Sequence, residues 1–204
     1  MQRILYLSAL AAFVFGTSMF GPGCGGSNAT RLYVLSPFTG SGGTHQLAAP
    51  NQGVALGVGP VQIPKYLDRP QIVTRADRNR LDIADFDHWA APLEENVTKV
   101  LAQNLSVLIP TDRVTLFPWN RSMTIDYQVS VDVIRFEVEQ SNTSVLVARW
   151  SVLRSGGTET LMSKNSSYST KTDSGDYTAV VASMNRNLDD LSQEIAIAIK
   201  SLAQ

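Results

Sequence analysis

Apolar residues recur along this chain in three rhythms, and each predicts a different element. The first is a continuous run: from Ile4 to Phe20 no residue is charged, and Gly21-Pro22-Gly23 breaks it off. The second is alternation, the period of a strand half-buried on one face. It marks Leu32 to Leu35, stopped by Ser36-Pro37, then Val54, Leu56 and Val58, interrupted at Gly59-Pro60 and resumed over Val61 to Ile63. Ile72 to Thr74 and Leu81 to Ile83 flank a polar turn, Ala76 to Asn79, and predict a hairpin. Val114 to Phe117 is a short strand. Ile125 to Glu139 is the longest, with Tyr127, Val129, Val131 and Val133 in one phase and Ile134, Phe136 and Val138 in the other. A slip of one residue turns every side chain over, so a β-bulge is expected near Val133-Ile134. Ser141-Asn142-Thr143 then turns the chain into Val145 to Leu153, an antiparallel partner. Thr160 to Thr172 is polar and β-leaning, the composition of an edge strand.

The third rhythm has steps of three and four. Leu93, Val97, Val100, Leu101, Asn104, Leu105 and Leu108 make one helical stripe, apolar except at Asn104. Pro92 suits its first turn, Glu94 and Glu95 meet the positive end of its dipole, and Pro110 ends it. Tyr177, Val181, Met184, Leu188, Leu191, Ile195, Ala198 and Leu202 continue such a stripe through a last helix from about Asp176 to Leu202. Too short and without charged flanks for a coiled-coil seam, it is expected to lie across a sheet. Together these elements predict a single α+β domain, a largely antiparallel sheet with two amphipathic helices on one face.

Composition narrows the function. Lys and Arg total 17 against 18 Asp and Glu, a net charge of -1, with no basic block or stripe. Nucleic-acid binding therefore has no electrostatic support. After Phe20 no apolar run approaches the length that spans a bilayer. The basic start Met1-Gln2-Arg3, the apolar run and the small residues after it read as an export signal. The chain then divides into a signal, 1–23, a tether, 24–30, and a domain, 31–204.

Export sharpens the question of the single cysteine, Cys24, in "FGPGCGG". Oxidising compartments favour paired cysteines, and this one has no partner in its chain. The segment resembles a bacterial lipobox, in which the signal is cut before the cysteine and the thiol takes up diacylglycerol. Gly23 fits the small residue required before the cut, while Gly21 stands where a leucine is usual and Pro22 is atypical. Cleavage elsewhere would leave a soluble periplasmic protein. One acyl chain gives only marginal binding, so anchoring needs several.

Candidate chemistry is sparse. The histidines are His45, in a Gly-rich loop over Gly40 to Gly53, and His88, in "DFDHW" just before the first helix. Asp85, Asp87 and His88 are ligands by type, but their spacing matches no metal motif. They read as a polar approach to the helix, and no metal or cofactor is expected. No nucleophile elbow, phosphate-binding loop or C-x-x-C is present. The unusual stretch is P-K-Y-L-D-R-P, a loop held between Pro64 and Pro70. Two readings stand. Lys65, Tyr66, Leu67, Asp68 and Arg69 form a partner-binding surface, tyrosine and arginine being frequent in hot spots. Alternatively, Tyr66 and Leu67 fold onto the core and Arg69 pairs with Asp68.

At this loop the chain resembles a family. "RLYVLSP", "VGPVQIPKYLDRPQIVTR", "LDIADFDHWAAPLEENVTKVLAQNLSVLIP", "VTLFPW" and "DYQVSVDVIRFE" are similar to the ABC-type transport auxiliary lipoproteins, which include paraquat-inducible protein C. The resemblance implies a non-catalytic outer-membrane lipoprotein facing the periplasm. It implies inner-membrane transporter components and periplasmic MCE-domain proteins as partners, in a system carrying lipid between membranes. Gly25, in place of Asp after the cysteine, agrees with outer-membrane sorting. The oligomeric state stays open, a homo-oligomer included. A scaffold or activator lipoprotein for an envelope enzyme such as a peptidoglycan synthase is the alternative class, and a hydrolase using His88 the third.

Overall fold

The computed structural model describes residues 29–38, 53–120, 122–154, 157 and 159–203. The expected signal, Cys24, most of the tether and nearly all of the Gly40–Gly53 loop lie outside the described residues. Within them the elements are β1 (Arg31–Tyr33), β2 (Leu56–Gln62), β3 (Gln71–Arg75), β4 (Leu81–Trp89), α1 (Leu93–Leu108), β5 (Val114–Leu116), β6 (Tyr127–Glu139), β7 (Thr143–Arg154), β8 (Thr160–Lys171) and α2 (Tyr177–Leu202). This is an α+β domain.

The eight described strands form one sheet around β6. Along one edge β6 pairs antiparallel with β7 for its whole length, from Tyr127↔Arg154 to Glu139↔Thr143. Its other edge is therefore shared. The first half pairs parallel with β2, from Leu56↔Tyr127 to Gln62↔Asp132. The end pairs parallel with β3, at Thr74↔Val138 and Arg75↔Glu139. β3 and β4 are the expected hairpin, β8 lies antiparallel to β7 at a sheet edge, and β1 and β5 join parallel to β4 and β2. The sheet is mixed, which corrects the largely antiparallel expectation. Hairpins betray themselves by short turns, whereas alternation is the same in a parallel strand, so pairings between distant segments leave no local mark. A second correction concerns Asp85 to Trp89. That stretch is the end of β4, made extended by its pairing with β1, and not a polar approach to the helix.

The bulge lies where expected. Val133 faces Ala148 and Arg135 faces Val147, leaving Ile134 without an opposite residue. Ile134 itself points outward, and the buried phase resumes at Phe136. The bulge thus separates two inward runs and does not carry Ile134 into the core.

Both helices contribute their stripes to one core, in which Trp150, Phe136, Leu101, Leu105, Leu188 and Ile195 are fully buried. α1 touches β2, β5 and α2, and α2 runs over β6, β7 and β8. The polar gap in the α1 stripe is the joint between the helices. The buried Asn104 donates its amide to Asp189 Oδ1 at 2.9 Å and Ser192 Oγ at 3.0 Å on α2. It also accepts from the Phe38 backbone N–H at 2.7 Å. α2 starts at Asp176, whose carboxylate accepts from the N–H groups of Thr178 and Ala179 at 2.9 and 3.0 Å.

Edge strand β8 is tied down by Glu194 of α2, which accepts from Lys164, Ser166 and Tyr168. Trp150 Nε1 in turn donates to Ser166 Oγ at 3.1 Å. Burial would raise the Glu194 carboxyl, but these hydrogen bonds prevail and hold it down to about 2. In the unfolded chain it returns to the ordinary carboxylate range near 4.3, so between those values the unfolded state binds more protons. The contribution is present above the unfolded value and is lost as pH falls toward 2. Glu194→Gln is expected to flatten the acid side of the stability profile, read from urea midpoints between about pH 4.5 and 2.5. An unchanged slope would refute the assignment.

Candidate partner-binding site

The position of the Pro64–Pro70 loop follows from the sheet. β2 leaves β6 at Gln62↔Asp132 and β3 rejoins it at Thr74↔Val138, so the connection must pass beside the bulge. It does so as a tight turn, with Leu67 N–H donating to the Pro64 carbonyl at 2.9 Å and Arg69 N–H to the Leu67 carbonyl at 2.8 Å. The exit is fixed by Trp89 N–H, which donates to the Pro70 carbonyl at 2.6 Å.

The five loop residues divide between inside and outside. Leu67 is buried in the core cluster, and Tyr66 packs against it. The Tyr66 hydroxyl donates to Glu137 Oε2 at 2.9 Å. Lys65 and Asp68 stay outside, 3.7 Å apart as a weak surface pair. Arg69 does not pair with Asp68, and its Nε is buried without a hydrogen-bond partner among the described residues. The inward reading thus holds for Tyr66 and Leu67, and the solvent-facing side belongs to Lys65 and Asp68.

Glu137 is the group that sequence reasoning missed. It is fully buried, yet accepts from Arg75 Nε at 2.7 Å, Arg135 Nε at 2.9 Å and its own strand's Phe136 N–H at 3.1 Å, besides Tyr66. Arg135 also donates to Glu139 at 2.8 Å. Burial would push this carboxyl up, but the hydrogen bonds from Arg75, Arg135 and Tyr66 overcome it and keep it below the usual carboxylate range. The same enclosure, with the Glu137 bond second, pushes the Tyr66 hydroxyl up to about 12. The loop is therefore clipped to the sheet by a buried charge cluster spanning β3, β6 and the bulge. The available signal was Glu137 itself, a carboxylate placed between Phe136 and Val138 in a strand shifted by the bulge.

Beside the loop lies an open groove of about 440 Å³, lined by Pro60, Gln62, Ile63, Lys65, Glu94 and Phe117 among others. Phe117 is exposed and meets Trp119 edge-on at 5.3 Å between ring centroids. It also rests on Gly59, whose φ of +120° suits glycine and where an added Cβ would come within 2.6 Å of Phe117. Its lining is mixed, with Pro60, Ile63 and Phe117 set among Gln62, Lys65, Glu94 and Thr98. That composition suits a protein segment better than a phosphate backbone, for which it holds a single cation.

The remaining candidates do not converge. Asp87 is buried between β1 and β4, accepting from Arg31 at 2.7 Å on both oxygens and from the Tyr33 hydroxyl at 2.8 Å. The Arg31 hydrogen bond holds it below its ordinary value. His88 Nε2 lies 3.2 Å from the Asp85 carbonyl. Among the described residues no group of three His, Cys, Asp or Glu side chains gathers to hold a metal. His45 and Cys24 lie outside the described residues.

The sequence profile of the ABC-type transport auxiliary lipoprotein component matches residues 33–196. No curated protein sequence matches the chain. Among solved structures it resembles an uncharacterized protein at 20% identity, covering 84% of this chain and 99% of that one with a TM-score of 0.68. A Xanthomonas campestris protein aligns at 19% identity, covering 82% of this chain and 93% of that one with a TM-score of 0.66. At these identities the likeness is one of fold.

Proposed function

The chain belongs to the family of ABC-type transport auxiliary lipoprotein components, and from that premise we propose that it is a non-catalytic adaptor, anchored through Cys24 at the periplasmic face of the outer membrane. It docks the periplasmic MCE-domain component of a lipid transport system whose transporter sits in the inner membrane. The observation that carries the docking role is the groove beside the clipped loop. An exposed aromatic, Phe117, with Pro60 and Ile63 lies among the polar Gln62, Lys65, Glu94 and Thr98, beside a loop that the Tyr66–Glu137 bond clips to the sheet. Rigid apolar anchors within a polar rim are the usual makings of a hot spot, because little ordering entropy is lost on binding.

Co-purification of the chain with the MCE-domain protein of its own transport system tests this reading. No complex, together with intact transport in a deletion strain, would refute it. Because Tyr66 is bonded to Glu137, its replacement reports stability, so the docking test uses the outward residues. Lys65→Glu with Phe117→Ala is expected to weaken the complex at least about ten-fold, with the melting temperature held within a few degrees. Unchanged affinity would move the docking surface elsewhere.

A further inference from the structure

β1 is three residues long and pairs only with β4 among the described strands, at Arg31↔Asp87, Leu32↔His88 and Tyr33↔Trp89. Arg31 and Tyr33 both turn to Asp87, so Leu32, which alternates with them, faces the other side. Nothing described covers it there. Leu32 is 66% exposed and Val34 52%, and beside them on β4 Ile83 is 49% and Phe86 39% exposed. Single exposed hydrophobics need no explanation, but four large ones along one short edge do.

The charged residues near this edge gather on its other face. Asp82 and Asp85 are exposed on β4, and Arg80 lies 3.7 Å from Asp82. The Arg31 guanidinium, though solvent-accessible, is committed to Asp87. With Asp87, both Asp82 and Asp85 act on Tyr177, which packs against Tyr33 on the face opposite Leu32, so their charge falls on the side away from Leu32.

The chain before β1 supplies the occupant. Only seven residues, Cys24 to Thr30, precede Arg31 after the cysteine is counted, and Leu32 is the first large apolar residue beyond them. A fully extended chain spans about 3.3–3.6 Å per residue, so an anchor at Cys24 holds β1 within about 25 Å of it. So short a link gives an effective concentration in the millimolar range, enough for a weak apolar contact to persist.

We infer that the β1–β4 edge, carrying Leu32, Val34, Ile83 and Phe86, is a second membrane contact that seats on the lipid surface to which Cys24 is tied. It fixes how the domain stands on the bilayer. The inference rests on the anchoring of Cys24 proposed above, and its test separates the two. The whole chain is coupled through its sole cysteine to a maleimide-bearing lipid in phosphatidylethanolamine–phosphatidylcholine vesicles, which supplies the anchor whether or not a cell attaches one. Amide exchange over residues 31–35 and 81–88 is expected to slow about five-fold relative to the uncoupled chain, with residues 177–202 unchanged. Leu32→Glu with Phe86→Glu removes the protection. If that variant melts early, Leu32→Ser serves in its place. Equal exchange on and off vesicles overturns the inference. Protection that instead grows with protein concentration in the absence of vesicles assigns the edge to a second copy and overturns the lipid assignment. Absence of acyl mass on Cys24 of cell-derived protein would refute the anchor alone.

Discussion

Glu137→Ala is expected to lower the unfolding free energy by about 3–5 kcal/mol, the usual cost of removing one partner from a buried charge cluster. The carboxylate is fully enclosed and accepts from Arg75, Arg135, Tyr66 and the Phe136 N–H. Its removal takes the shared carboxylate from two partly exposed guanidinium groups, of which Arg135 keeps Glu139 and Arg75 keeps the Arg78 carbonyl, and leaves the Tyr66 hydroxyl without its acceptor. A buried donor left unpaired costs more than the bond was worth. Glu137→Gln keeps an acceptor oxygen without the charge and should lose less. The effect concentrates on β3, on the Tyr66 loop and on the bulge, since these are the pieces the cluster joins. Urea denaturation gives the total, and amide exchange over residues 64–75 locates it. A loss below about 1 kcal/mol would mean that the cluster is solvated and the loop held by Leu67 alone.

The second large effect concerns location. Under the proposed anchoring, Cys24→Ser moves the protein from the membrane to the soluble fraction almost completely. Each buried methylene contributes about 0.8 kcal/mol, so losing several acyl chains changes partitioning by many orders of magnitude. Labelling with radioactive palmitate should mark the wild type and leave the variant unlabelled. Label persisting on the variant, or an unchanged distribution between fractions, would refute modification at this residue. The fold is expected to be indifferent to the change, since the described core runs from Tyr33 to Leu202. A melting temperature equal to that of the wild type separates lost anchoring from lost folding.

Much of the architecture was legible because it is local. Stripes of three and four residues predicted both helices, and Pro92 and Asp176 stand at their starts in the structure. Alternation predicted the strands, and its slip at Val133-Ile134 located the bulge. The candidate loop was legible for the same reason, two prolines bounding a short segment. Which of its residues face outward was not. Tyr66 is turned in by a carboxylate 71 positions away, and no local pattern carries that distance.

The amino-acid sequence alone determined the elements apart from the second part of β4, the bulge, the α+β class and the family resemblance, since each depends on neighbours within a few residues. Tertiary structure alone decided the pairing. β6 takes β2 and β3 parallel on one edge because β7 fills the other, and that division makes the sheet mixed and drives the Pro64–Pro70 loop past Glu137. It also decided that Asp87 serves Arg31 and Tyr33, and that Leu32 is left facing outward. The physical reason is common to all of these. Burial and charge pairing are settled by what arrives from far along the chain, while periodicity records only which side of its own element a residue prefers.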